Sequence, residues 1–174
     1  MDYLEKGDLV LNLNYDTVFE LALQQEDIDF FYTTQPANHP IEVCKPHGSL
    51  NLITNKTSLY FCQPEWLGMP QVPGFLSYSG LIPPRLNKSY KKNPIAKVLL
   101  EKAYHRKPNH LIFWGIGMTE SDIDLLRVYE KWSRKADRID IINPSNEVAI
   151  KIGNLLQQEI NHYTDHSKWI ESQN

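Results

Sequence analysis

Residues 110–144 read HLIFWGIGMTESDIDLLRVYEKWSRKADRIDIINP, and this stretch decides the fold. His110 to Trp114 is an apolar, strand-like run that ends in Gly115-Ile116-Gly117. Thr119 and Asp122 resemble a capping pair ahead of a helix that runs to about Lys135. Leu125, Val128 and Trp132 recur at helical spacing and form part of its predicted buried stripe. Arg138 to Ile142 is a second strand, and it ends in Asn143-Pro144.

The same alternation continues outward. Upstream, Asp8 to Leu13 is a short apolar strand running into Asn14-Tyr15-Asp16. Asp16 looks like a helix N-cap, followed by Val18, Leu21 and Ala22 at i, i+3, i+4 spacing, with Glu20 in the first turn. Gln24 to Pro40 is an excursion with short extended pieces such as Phe30-Phe31-Tyr32. Ile41 to Lys45 is another strand, stopped by Pro46 and running into His47-Gly48-Ser49. From Asn51 to Lys92 the pattern is loose. Leu59 to Cys62 reads as a strand there, and Pro64, Pro70, Pro73, Pro83 and Pro84 punctuate turns and extended chain. Pro94 opens a helix through about His105, with Ile95, Val98, Leu99 and Lys102 on successive turns. Downstream, Ser145 caps a final helix with Val148, Ile152, Leu155, Leu156 and Ile160 on one face. The tail from Asp165 is polar and expected to fray.

Strands alternating with helices predict an α/β fold: a three-layer, Rossmann-like, mostly parallel sheet with helices on both faces. The expected organisation is one domain over residues 1–164 and a polar tail over 165–174. A chain of 174 residues suits one domain of that kind, with enough core to need no metal or disulfide staple. A net charge of −3 without a basic stripe argues against a nucleic-acid partner. Lys88 to Lys92 reads as a solvated loop. Two cysteines, Cys44 and Cys62, lie far apart and lack a C-x-x-C partner, which argues against zinc and fits a reduced, cytoplasmic compartment. No signal peptide or membrane-spanning stretch is visible, so no membrane association is expected.

In an open α/β sheet, ligands bind outside the carboxyl ends of the strands. Four strand ends would deliver Asn14, Asp16, His47, Gly48, Gly115, Gly117 and Asn143 to one such edge. Each has a plainer reading. Asn14 and Asp16 suit a turn and a helix cap, although an Asn amide also offers a donor and an acceptor to ribose or amide groups. His47 is either a hydrogen-bonded structural histidine or a general base working near neutral pH. Gly48 lets backbone approach a ligand. Gly115 and Gly117 lie where helix-terminal amides receive phosphate, but Glu120 replaces the third glycine of the dinucleotide pattern. Asn143-Pro144 taken alone is a turn. Asp122 and Asp124 read as cap and solvated helix face, Trp114 and Trp132 as core, and Arg85 as a surface residue.

The order of these motifs resembles the prokaryotic sirtuin-like family. The matching stretches are Leu11 to Thr17, Lys45 to Leu50, Leu81 to Pro84, Ile112 to Gly117 with Glu120-Ser121-Asp122, and Ile141 to Pro144. The resemblance spans nearly the whole chain from Asp8 to about Ile160. It implies a Rossmann-like domain that binds NAD or a related nucleotide, without a metal. By that resemblance Asn14 contacts the nicotinamide ribose and places the attacking group, and Asp16 lies near the nicotinamide pocket. His47 is the catalytic base, Gly115 and Gly117 flank the diphosphate and adenosine ribose, and Asn143 contacts the adenosine-side ribose.

The family's opening Gly-Ala-Gly-x-Ser turn has no counterpart here, so the chain reads as the back portion of such a domain. An exposed sheet edge would follow, which a second copy of the chain could cover. Leu13 stands where deacylating members carry glutamine, and the family's four-cysteine zinc module is absent. Gly117 replaces a serine. The expected activity is therefore hydrolysis of NAD to nicotinamide and ADP-ribose, similar to sirtuin-like proteins of bacterial anti-phage defence. The alternatives are a non-catalytic nucleotide-binding or interaction module and an NAD-dependent lysine deacylase.

Overall fold

The computed structural model describes residues 3–35, 40–54, 59–65, 78–81, 94–117 and 122–173. The chain divides into two compact units, Met1–Arg85 with Tyr90–Ala103, and Leu86–Ser89 with Tyr104–Asn174.

The first unit is built on a parallel sheet of β1 (Leu9–Leu11), β3 (Ile41–Cys44) and β2 (Phe30–Tyr32), with β3 in the centre. β1 and β2 pair with β3 so that Leu11 lies opposite Cys44 and Tyr32 opposite Val43. A central parallel strand is covered on both faces, and every residue of β3 is buried. Successive side chains point to opposite faces. Ile41 and Val43 pack with Tyr32 against Leu23 of α1 (Val18–Gln25). On the other face, the Cys44 thiol lies 3.7 Å from the Leu99 carbonyl of α2 (Pro94–Tyr104). This sheet is the middle layer of three. A second, antiparallel sheet sets β4 (Leu52–Thr54) between β5 (Leu59–Phe61) and β6 (Tyr78–Ser79).

In the second unit, β7 (His110–Trp114), β8 (Arg138–Ile142) and β9 (Asn161–Tyr163) form a parallel sheet in chain order. The connections are α3 (Ile123–Ser133) and α4 (Asn146–Leu156). Phe113 meets Tyr129 of α3 edge-on, at 5.2 Å between ring centroids. On the opposite face, Trp169 of α5 (His166–Glu171) donates its indole N–H to Asp140 at 2.8 Å. The fold is α/β with parallel sheets and a Rossmann-like alternation of strand and helix.

Several elements lie where the pattern predicts them. Leu125, Val128 and Trp132 are buried along α3. Ser145 caps α4 by accepting from the Val148 amide. α2 is rotated from the predicted stripe: Leu99 is buried, but Ala96, Leu100 and Ala103 complete the buried face and Val98 is exposed. The final helix stops at Leu156, because Gln157 adopts the left-handed conformation, and Asn161 to Tyr163 then form a strand. Nor does the tail from Asp165 fray. Asp165 accepts from the Lys168 amide at 3.0 Å, and Trp169 is buried. Trp132 belongs to the core, whereas Trp114 is 60% exposed. The readings of Pro83-Pro84-Arg85, Lys88 to Lys92, Thr119 and Glu120 lie outside the described residues.

Candidate functional site

The predicted site residues form two clusters, one in each unit. The first sits at the carboxyl ends of β1 and β3. Asn12 extends the β1 ladder by one bond, its amide donating to the Cys44 carbonyl at 2.9 Å. The Asn12 side-chain oxygen then accepts from the Asn14 amide at 3.0 Å, closing a local turn. That turn leaves Asn14 and Asp16 exposed at the strand end. Asp16 accepts from the Val18 amide at 3.1 Å and so helps start α1, although the helix cap position itself is Thr17.

Pro46 ends β3, and the next turn brings His47 back beside this loop. The imidazole is 8% exposed, with Nδ1 3.2 Å from the Leu13 carbonyl oxygen. A carbonyl can only accept, so Nδ1 donates this bond; in a neutral ring the lone pair then lies on Nε2, which is buried. That tautomer is the form a general base needs. The Tyr15 ring lies 6.3 Å from the imidazole, centroid to centroid.

Gly48 has φ +81, and a Cβ there would stand 1.8 Å from the Gly80 carbonyl oxygen. The close approach that requires glycine is to the chain's own Gly80. Ser49 donates to the Asn51 side-chain oxygen at 2.6 Å. Asn51 in turn donates to the Tyr32 hydroxyl at 2.8 Å and the Cys62 carbonyl at 2.7 Å. Burial, with Glu20 nearby, raises the Tyr32 phenol well above its ordinary range.

Lys45 and Glu20 are the functional-looking residues that sequence reasoning passed over. Both side chains are fully buried, and Nζ meets Glu20 Oε1 at 2.8 Å. The ammonium also donates to the Asp16 carbonyl. The other Glu20 oxygen accepts from the Asn12 side-chain Nδ2 at 3.5 Å. One buried ion pair thus underpins the loop that presents Asn14 and Asp16. Burial lowers the Lys45 pKa from its ordinary value, and the Glu20 charge opposes that shift. The available signal was a lysine closing an otherwise apolar strand.

The second cluster lies at the carboxyl ends of β7 and β8. Gly115 has φ +62, and its amide donates to the Ile142 carbonyl at 3.0 Å. Among the described residues, no heavy atom would lie within 4 Å of a Cβ at either Gly115 or Gly117. Both ends of the Asn143 amide are engaged within the protein. It donates to the Ile116 carbonyl at 3.1 Å and accepts from the Ser145 amide at 2.9 Å. Asn143 therefore fixes the Gly115–Gly117 turn against β8.

Beside the first cluster, a groove of about 530 Å³ runs along β2, lined by residues that include Phe30, Tyr32 and Phe61; no predicted site residue lines it. Among the described residues, no three of His, Cys, Asp and Glu converge as metal ligands do, and no helix is long and apolar enough to cross a membrane. Comparison with family models, curated proteins and solved structures finds no match for this chain.

Proposed function

We propose that this chain is a sirtuin-like, NAD-binding protein whose activity is hydrolysis of NAD to nicotinamide and ADP-ribose. The observation that carries the reading is the Nδ1 contact of His47 with the Leu13 carbonyl, one residue before Asn14. It supports a neutral imidazole with its lone pair on the buried Nε2, at the carboxyl edge of a parallel sheet. In this reading Asn14 orients the attacking water and Asp16 serves the nicotinamide end. In the second unit, taken by itself, Gly115, Gly117 and the turn that Asn143 fixes form a candidate nucleotide-binding turn.

Breaking the nicotinamide–ribose bond builds positive charge on the sugar. Water supplies the new bond to carbon, nicotinamide leaves with the bonding pair, and the water's surplus proton passes to His47. Orientation of the water and removal of its proton need only an amide and a neutral imidazole.

The test is nicotinamide release from NAD by the purified chain, with His47→Ala and His47→Gln alongside and circular dichroism to confirm folding. Release by the wild type that falls at least a hundredfold in both variants supports the reading, in line with the roughly 10²–10⁴-fold contribution of a general base. Absence of release from folded wild-type protein overturns it and favours a non-catalytic module. Release that requires an acyl-lysine peptide favours deacylation instead.

A further inference from the structure

At the carboxyl end of β7, one large side chain remains exposed immediately before the glycine turn. Trp114 is 60% exposed, although it ends a strand whose Leu111 and Phe113 are buried. Its indole stacks on the His166 imidazole, with 4.7 Å between centroids and 11° between planes. His166 is itself well anchored. It opens α5, which Asp165 caps and which Trp169 ties to the buried Asp140 at 2.8 Å. The imidazole therefore holds the indole in a set orientation.

Among the described residues, the chemistry available at this strand end is narrow. Gly115 and Gly117 have no side chains, and the Asn143 amide is engaged by Ile116 and Ser145. Among the described residues, what remains is the backbone of Gly115 and, next to it in the chain, a flat, oriented aromatic surface. Such a surface recognises a planar ring by stacking. We propose that Trp114, backed by His166, is a stacking platform for the adenine of an adenine nucleotide. This rests on the NAD reading above, which gives the chain an adenine nucleotide as its ligand.

The test is equilibrium binding, by calorimetry, of AMP, ADP-ribose and nicotinamide mononucleotide to wild type, Trp114→Ala and Trp114→Phe. The exposure of Trp114 makes both variants compatible with folding, and near-equal melting temperatures check this. Base–aromatic stacking of about 1–3 kcal/mol corresponds to about a five- to 150-fold loss of affinity. The expected result is a loss of that size for AMP and ADP-ribose in Trp114→Ala. Trp114→Phe retains most of the affinity, and nicotinamide mononucleotide binds all three proteins alike.

Unchanged AMP and ADP-ribose affinity in Trp114→Ala overturns the platform. So does a loss confined to nicotinamide mononucleotide, or an equal loss for all three ligands. If wild type binds none of the adenine nucleotides, the NAD reading fails and the platform fails with it. If wild type binds them and only the Trp114 variants behave as wild type, the platform alone fails.

Discussion

Replacing Lys45 by methionine removes the only cation that meets the Glu20 carboxylate among the described ion pairs. Both side chains are fully buried and 2.8 Å apart, so solvent cannot take the place of the lost partner. Among the described residues, Glu20 would keep only the long contact with the Asn12 side-chain amide at 3.5 Å. Breaking one side of a buried pair costs about 3–5 kcal/mol, because the remaining charge stays desolvated. For a chain of this size, about 2–4 °C per kcal/mol makes the expected fall in melting temperature about 6–20 °C. The double variant Lys45→Met/Glu20→Leu removes both charges and fills similar volume. It should recover most of the loss, since apolar replacement of a whole buried pair is often neutral or stabilising. A residual deficit of about 1 kcal/mol is expected from the Asp16 carbonyl, which loses its donor. Urea and thermal unfolding of wild type, the single variant and the double variant, followed by circular dichroism, measure both steps. A single variant within about 1 kcal/mol of wild type would refute the argument that this pair is desolvated and mutually dependent. A double variant no more stable than the single would refute it equally.

Three further outcomes follow from individual contacts. Gly48→Ala should destabilise far more than Gly115→Ala. Both add left-handed strain of about 1–2 kcal/mol, but only at Gly48 would the methyl collide with backbone, 1.8 Å from the Gly80 oxygen; similar denaturation midpoints would contradict this. Burial alone would raise the Asp140 pKa, yet hydrogen bonds from Arg138, Asn161, Trp169 and His110 hold it below the ordinary aspartate value. The folded state then binds fewer protons than the unfolded state around that value. Its contribution is complete above the ordinary aspartate pKa and lost as pH falls through the lowered one, so Asp140→Asn should flatten the acid limb of urea midpoints measured from about pH 2 to 6. Burial pushes the Cys44 thiol up to about 12, while Cys62 is only partly buried. Maleimide near neutral pH should therefore label Cys62 in the native protein and Cys44 only on unfolding; equal native rates would exclude that difference.

Much of the local structure was legible because it depends on near neighbours. The i, i+3, i+4 stripe of α3, the Ser145 cap and the strands ending in Asn-Tyr-Asp, His-Gly-Ser and Gly-Ile-Gly need only backbone geometry and a few adjacent residues. The placement of Asn14, His47 and Gly115 at strand ends was legible for the same reason, since strand ends are where an α/β sheet presents its loops. What could not be read was which residues would be buried and which exposed. Trp114 looked like core by hydrophobicity, but it ends a strand and faces outward. The residues around Asp165 looked like a solvated tail, but Trp169 closes a helix onto Asp140 across 29 positions of sequence.

The amino-acid sequence by itself determined the α/β alternation and the turns at which Asn14, His47 and Gly115 appear. It did so through periodicity, capping and the conformational limits of glycine and proline, all of them local. Only the tertiary structure decided that Lys45 meets Glu20, that His47 Nδ1 meets the Leu13 carbonyl, and that four side chains converge on Asp140. These choices join residues far apart in the chain. A charge or a ring proton becomes energetically decisive only when folding has excluded water from it, and no local pattern records where that exclusion will occur.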